Sequence, residues 1–239
     1  MSRYDRQVRL PGFDEAGQAA LCAATVVVIG AGGLGCSALV YLVGAGVGHL
    51  VVVDDDVIEA TNLHRQVLYT TADVGTPKAV AAAGRLVALN PDVTVTPAVA
   101  RVTDKTASDL MASSDIVLDC CDNVSTRRVV NRACQRAGVP EVWAAIGGYS
   151  GRCSVVVPGS PCFECVFPDA DETDSRPPVF GPVCGATGAL QAAEAIKVLT
   201  GLGEPLVGRM ASLDVRTGDL VTLPLVRDPA CPACGAAAG

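Results

Sequence analysis

Three sets of residues in this chain have types and spacings that can do chemistry. The first is a glycine turn, Gly30-x-Gly32-x-x-Gly35 with Gly33 inside it, with an acidic end, Asp54 to Asp56, further along. Glycines at such a turn let backbone N–H groups approach a phosphate, and an acid about 20 residues on can accept from ribose hydroxyls. The pattern predicts a bound nucleotide. The second set is polar and cationic: Asn62, Arg65 and Gln66 in one loop, then Lys78. Two cations beside a phosphate turn suit a triphosphate better than a dinucleotide, because three phosphates carry more charge to neutralise. Asp122, next to Asn123, follows the apolar run IVLDCC. Its carboxylate either holds Mg²⁺ on the phosphates or caps the helix that follows. An oxidoreductase on the same turn wants an acid or base beside its nicotinamide, commonly histidine, and the chain has His49 and His64 alone. His49 precedes a core strand and reads as structural, while His64 sits in the polar loop beside Arg65.

The third set is Cys162-x-x-Cys165 with Cys231-x-x-Cys234. Paired C-x-x-C knuckles make a tetrahedral thiolate Zn²⁺ site with no open position, which is structural, not catalytic. A redox dithiol is the competing reading. The pairs stand 65 residues apart, far more than in a zinc finger, so a clip between a late loop and the C-terminus is expected.

The elements that must position these residues follow from periodicity. A helix is expected over 14–23, a strand ending at Ile29, and a second strand over 50–53 ending at Asp54. Thr76 and Pro77 start a helix running to about Asn90, with threonine as cap and proline in the first helical position. Strands over 93–99, 115–120 and 141–146 and a helix over 125–137 complete repeated βα units, hence a doubly wound, mostly parallel Rossmann-like α/β sheet. Beyond Ser150 short strands over 153–157, 210–215 and 220–223 surround a helix over 185–199, an antiparallel second half. Residues 169–182 are acidic, contain proline and lack periodicity, so they read as an exposed, mobile loop. In open α/β sheets ligands sit beyond the carboxyl ends of the strands, so the glycine turn, Asp54 and Asp122 should converge.

Composition bounds the rest. A chain of 239 residues suffices for one α/β domain, here 1–239, with a nucleotide-binding half to about 149 and a second half from 150. Half the residues are hydrophobic but only 4% aromatic, as buried parallel strands and closely packed helices require. A net charge of −7 argues against nucleic acid as a partner. No charged residue lies between Glu15 and Asp54, yet seven glycines from Gly30 to Gly48 break that run, so no membrane span is expected. The charged N-terminus MSRYDRQVRL has no apolar signal core, and the 11 cysteines are odd in number. A cytoplasmic location without a disulfide framework is therefore expected. The seven cysteines outside the knuckles read as small buried hydrophobes.

Taken in order, RYDRQ at 3–7, GAGGLG at 30–35, Asp54 to Asp56, NLHRQ at 62–66, GTPK at 75–78, Asp122 with Asn123, both C-x-x-C pairs and GALQAAEAIK at 188–197 resemble the MoeB/ThiF family. That family contains the ubiquitin-activating-enzyme-like adenylyltransferases. The resemblance spans nearly the whole chain. It implies that ATP adenylates the C-terminal glycine of a ubiquitin-like sulfur carrier ending in Gly-Gly, releasing pyrophosphate before thiocarboxylate formation. By the same resemblance Asp54 holds the ribose, Asn62 the phosphates and Asp122 the Mg²⁺, with Arg65 and Lys78 neutralising charge. Asp56, Gln66 and Asn123 join the nucleotide site. Arg6 reaches the ATP of the other subunit of a homodimer. Many relatives carry a cysteine between the first C-x-x-C and the Gly188 helix, and 166–183 contains none. Cys184 is the nearest substitute, and a helix N-terminus would lower its thiol pKa. Adenylation without a covalent enzyme intermediate is expected. No rhodanese-like extension follows Cys234, so a separate sulfur donor is expected. An NAD-dependent oxidoreductase and a non-catalytic partner subunit of an activating enzyme are the competing functions.

Overall fold

The computed structural model describes residues 2–170 and 178–235. Its first half runs α1 (Asp5–Val8), α2 (Glu15–Ala23), β1 (Thr25–Ile29), α3 (Gly33–Ala45), β2 (His49–Val53), α4 (Lys78–Leu89), β3 (Thr94–Ala98), α5 (Asp104–Ala112), β4 (Ile116–Asp119), α6 (Val124–Ala137) and β5 (Glu141–Gly147). The second half is β6 (Ser150–Val156), α7 (Phe163–Val166), α8 (Gly181–Thr200), β7 (Arg209–Asp214) and β8 (Asp219–Pro224).

All eight strands form one sheet in the order β3-β2-β1-β4-β5-β6-β7-β8. The first five are parallel and the last three are added antiparallel. Valine-rich β1 and β2 and the Ile-Val-Leu run of β4 carry apolar side chains to both faces, as central parallel strands must. Val26, Val28, Leu50 and Val52 pack with Leu39, Leu42, Leu86 and Ala192 on one face, and Val27, Ile29 and Val117 pack with Met111, Val130 and Cys134 on the other. Strand order reverses between β1 and β4, which opens a crevice beyond their carboxyl ends.

Two helices reach that crevice from the same face. α3 descends from the glycine turn. α8 enters near Gly151 at the upper end of β6, where a Cβ on that glycine would lie 1.9 Å from Thr187 Oγ1, and by Glu194 it is low enough to accept from the Leu206 N–H at 2.7 Å. The helices therefore run side by side with both N-termini at the crevice. They pack closely at Gly188, where an added Cβ would meet Leu34 O at 2.4 Å and Ser37 Cβ at 2.9 Å.

Four local expectations change. Thr76 does not cap α4: Pro77 is the capping residue, and no side chain caps the helix. The reason is that the Lys78 N–H already donates to Asp56 O at 2.9 Å. α5 was not expected; Thr103 opens it, accepting from the Thr106 N–H. α8 begins at Gly181 rather than 185, with Pro182 in its first turn, where a missing N–H costs nothing. Of the expected loop 169–182, residues 171–177 lie outside the described residues, but Val179 bridges Gly148, and the Phe180 N–H donates to Gly148 O at 2.9 Å. Among the described residues no helix is long and apolar enough to cross a membrane.

Candidate functional site

The glycine turn has no room for a side chain at Gly30, Gly33 or Gly35. Gly30 has φ +96, a left-handed value that favours glycine, and a Cβ there would lie 2.8 Å from Cys120 O. A Cβ on Gly35 would meet Gly30 O at 2.0 Å, and one on Gly33 would meet Cys184 Sγ at 2.8 Å. Gly32 is the capping residue of α3 and has no side-chain cap, which leaves the first N–H groups of the helix to an anion.

Asp54, at the end of β2, accepts from the Ala31 N–H through Oδ2 at 2.7 Å and from the Asp56 N–H through Oδ1 at 2.8 Å. Burial raises its carboxyl above the ordinary value, opposed by the Lys78 ammonium and by those two N–H donors. Lys78 opens α4 and is buried, with its Nζ 2.7 Å from Asp56 Oδ2; Asp56 itself is mostly exposed. The buried ammonium is thus held beside the crevice by a partner carboxylate that solvent reaches.

The loop over 59–69 wraps the turn. Asn62 is buried and its Oδ1 accepts from the Glu59 N–H at 3.0 Å, so it closes the short 3-10 turn Ala60–Asn62. Gln66 is buried with Nε2 3.7 Å from the place a Gly32 Cβ would take, and its Oε1 has no hydrogen-bond partner among the described residues. Arg65 Nη1 donates to Thr61 O at 3.0 Å and to His64 Nε2 at 2.8 Å, while its Cγ lies 3.6 Å from a Cβ placed on Gly33. His49 donates or accepts against Thr96 Oγ1 at 2.9 Å, a link between β2 and β3.

At the end of β4 the two readings of Asp122 separate. The cap of α6 is Asn123, whose Oδ1 accepts from the Thr126 N–H at 2.9 Å. Asp122 is exposed beside it, joined to Asn123 Nδ2 at 3.4 Å. Its position is set by Gln191, a fully buried residue of α8 that donates through Nε2 to Asp119 O (2.8 Å) and Val142 O (2.7 Å) and accepts from the Cys120 thiol (3.2 Å). Buried Arg127 adds a second brace, with Nη2 on Cys121 O at 2.7 Å and Ala144 O at 2.8 Å, and Nη1 2.9 Å from Asp119 Oδ2.

Gly30, Gly32, Gly33, Gly35, Asp54, Asp56, Asn62, Arg65, Gln66, Lys78, Asp122 and Asn123 thus stand on the elements that border one crevice. Arg6 does not. The Tyr4 ring packs on Gly46, and Gln7 Nε2 donates to Ala45 O at 3.1 Å, which places α1 at the far end of α3. At 1.5 Å per residue that is roughly 20 Å from Gly33, farther than an arginine side chain extends. Cys184 does join the crevice, but burial raises its thiol pKa against the opposing Arg65 guanidinium, so the expectation of a lowered pKa is corrected. Burial outweighs the helix end. Sequence reasoning also missed Tyr69, Gln191, Arg127 and Glu164; each is a buried polar residue, and sequence marks neither burial nor partner.

The four knuckle thiols gather with all sulfurs within 4.8 Å. Cys162 Sγ lies 3.9 Å from Cys165 Sγ and 3.6 Å from Cys231 Sγ, and Cys165 Sγ lies 3.3 Å from Cys234 Sγ. Tetrahedral Zn–S bonds of about 2.3 Å demand S···S separations of about 3.8 Å, so the cluster has the size for one such ion. Asn131 Nδ2 and the Asp228 N–H point at Cys162 and Cys165 sulfurs, donors that suit thiolates. Between the first pair, Glu164 is fully buried and takes Arg132 Nη2 at 2.7 Å, Arg128 Nη1 at 3.2 Å and Asn131 Nδ2 at 3.2 Å. Those three donors lie on one face of α6 and fasten the first knuckle to it.

Known proteins share this architecture. The ThiF family profile matches residues 4–233. The chain is 44% identical to the "Sulfur carrier protein adenylyltransferase" of Thermus thermophilus over 98% of its own length and 91% of that protein's. It is 41% identical to the "Sulfur carrier protein ThiS adenylyltransferase" of Escherichia coli, over 98% and 94%. Among solved structures, Escherichia coli MccB crystallised with ATP superimposes with a TM-score of 0.87 at 28% identity, covering 98% of this chain and 75% of that one. This chain belongs to the ThiF family.

Proposed function

We propose that this chain uses ATP to adenylate the C-terminal glycine of a ubiquitin-like sulfur-carrier protein ending in Gly-Gly, releasing pyrophosphate. One observation carries the reading. The glycine turn, two helix N-termini, Arg65 and Lys78 surround one crevice at the strand switch point, in a chain with two relatives above 40% identity that are named as adenylyltransferases of a sulfur carrier protein.

A carboxylate is a poor electrophile until it becomes a mixed anhydride, so the reaction is attack of a carboxylate oxygen on the α-phosphorus with pyrophosphate leaving. Both reactants are anions, and the chain's work is to hold them together and offset their charge. The N–H groups of the cap Gly32 and of Gly33 at the start of α3 face the phosphates, and Asp54 accepts from the ribose with lone pairs its two N–H donors leave free. Lys78 exchanges Asp56 for phosphate oxygens. Arg65 takes the charge that develops on the leaving pyrophosphate, and Gln66 presents its unpartnered Oε1 and its Nε2 beside Gly32. Asn62 shapes the loop that brings both to the turn.

Asp122 supplies a hard carboxylate donor that would hold Mg²⁺, which neutralises phosphate charge when bound, while Asn123, its Oδ1 engaged in capping α6, holds Asp122 at the mouth of the crevice. Four thiolates with N–H donors fit a structural Zn²⁺ that ties residues 162–165 to 231–234. That Zn²⁺ would be structural and would take no part in adenylyl transfer. The chain works as one unit over 1–239 and as a homodimer, because Arg6 lies too far from its own crevice and serves its partner's. Cys184 is a packing residue, and the sulfur comes from a separate donor. A cytoplasmic location, where thiols stay reduced, belongs to the same proposal. The test is ATP–pyrophosphate exchange. Exchange that requires a Gly-Gly-ending carrier is expected, and exchange with none of a panel of such carriers would overturn the reading.

A further inference from the structure

Tyr69 is buried, and its hydroxyl lies 2.8 Å from the carbonyl of Ala31, inside the glycine turn, and 3.2 Å from the carbonyl of Lys78, at the start of α4. One hydroxyl hydrogen is shared between two carbonyls on different elements. A second route joins the same elements: Ala31 N–H to Asp54 Oδ2 (2.7 Å), Asp56 N–H to Asp54 Oδ1 (2.8 Å), and Lys78 N–H to Asp56 O (2.9 Å). These links make a closed circuit from Ala31 through Asp54, Asp56 and Lys78 to Tyr69 and back. The Lys78 ammonium is held by Asp56, a member of the same circuit. Cys36 adds a thiol donor to Ala31 O at 3.4 Å, so Ala31 has a second donor of its own, whereas among the described side chains only Tyr69 donates to Lys78 O.

From this we infer that Tyr69 is a positioning residue for triphosphate recognition: its phenol touches no ligand and fixes the spacing between the glycine turn and Lys78. The inference rests on the reading of the crevice as an ATP site. Without the hydroxyl, the first turn of α4 is tied to the glycine turn by one route instead of two. ATP engages both sides of the circuit, while AMP, lacking the outer phosphates, depends on the glycine turn and Asp54. A loss of register between turn and lysine therefore costs ATP more than AMP.

The experiment is calorimetric binding of ATP and of AMP to unsubstituted protein, Tyr69→Phe, Lys78→Ala and the double variant. Tyr69→Phe should lose about tenfold in ATP affinity and less than threefold in AMP affinity, and in the Lys78→Ala background it should change ATP affinity no further. Equal losses for both nucleotides, additive losses in the double variant, or unchanged affinity with a lowered melting temperature would each overturn it. Should Tyr69→Phe fail to fold, hydrogen exchange on the unsubstituted protein decides. ATP should slow the Ala31 and Lys78 amides together, and independent responses would count against the clasp. ATP binding without carrier-dependent exchange removes the proposed acceptor and leaves the clasp standing; a protein that binds no nucleotide removes both.

Discussion

The same substitution, glycine to alanine inside a helix, should have opposite signs at two places in this chain. Gly84 lies exposed in α4, and an added methyl there meets nothing within 4 Å. Alanine restricts the unfolded chain and suits the helix better, so Gly84→Ala should stabilise by about 0.5–1 kcal/mol. Gly188 in α8 offers the same gain, but its methyl would sit 2.4 Å from Leu34 O and 2.9 Å from Ser37 Cβ. One of those atoms is main chain of the helix that starts the glycine turn, and it cannot swing aside. α8 must lift away from α3, an overpacking cost of about 1–3 kcal/mol, with loss of the Ser37 Oγ to Gly185 O hydrogen bond (2.8 Å). The net expectation for Gly188→Ala is destabilisation of about 1–2 kcal/mol, which for a chain of this size is a fall of roughly 2–8 °C in Tm. Thermal unfolding of both variants by circular dichroism checks it, with ATP titration alongside, since lifting α8 also moves Cys184 away from Gly33. A Gly188→Ala protein as stable as Gly84→Ala, with ATP affinity intact, would refute the close packing on which the site's geometry depends.

Mixing inactive Arg6→Ala with inactive Lys78→Ala should restore about a quarter of the unsubstituted activity after free subunit exchange, because half the dimers are hybrids with one intact site. No recovery despite subunit exchange proven by native mass spectrometry would remove the in-trans role of Arg6. Cys184→Ala should retain carrier-dependent exchange, and in the unsubstituted protein Cys184 should alkylate more slowly at pH 8 than exposed Cys22, read by peptide mass spectrometry; a thioester between carrier and Cys184 would contradict both. Burial pushes the Cys36 thiol up to about 12 and raises Cys134 and Cys153 above the ordinary thiol value of 9.0. Their folded values exceed the unfolded ones, so this stability is fully present below about pH 9 and is lost as pH rises, at about 1.4 kcal/mol per unit for each thiol. The urea midpoint should fall between pH 8 and pH 10, with a shallower fall in Cys134→Ala; a midpoint flat over that range would sink the attribution.

What the sequence made legible depends on how local each cause is. The strand, turn and helix over 25–45 are dictated by neighbours: a valine run, glycines the turn sterically requires, then small residues that let α3 pack closely. The knuckles were legible because two C-x-x-C pairs have few other uses. α5 escaped because its turns carry few apolar residues, and its cap Thr103 gives a weak signal by itself. α8 starts four residues before its apolar periodicity suggests, although Pro182 in its first turn is a readable start signal. Asp122 and Asn123 could not be ranked as cap and free carboxylate until the backbone of α6 fixed which side chain faced Thr126. Cys184 was misjudged because a helix end is visible in sequence and the burial that outweighs it is not. Tyr69 and Gln191 act through main-chain carbonyls of distant residues, partners that no spacing in the chain announces.

The most direct test uses ATP labelled at the α-phosphorus, incubated with this protein, Mg²⁺ and a carrier ending in Gly-Gly, with the carrier recovered under acid quench. Label on the carrier as acyl-AMP, with unlabelled pyrophosphate released, is the predicted result. Label recovered only as ADP, with phosphate from the γ position on the carrier, would show attack at the wrong phosphorus and contradict the account.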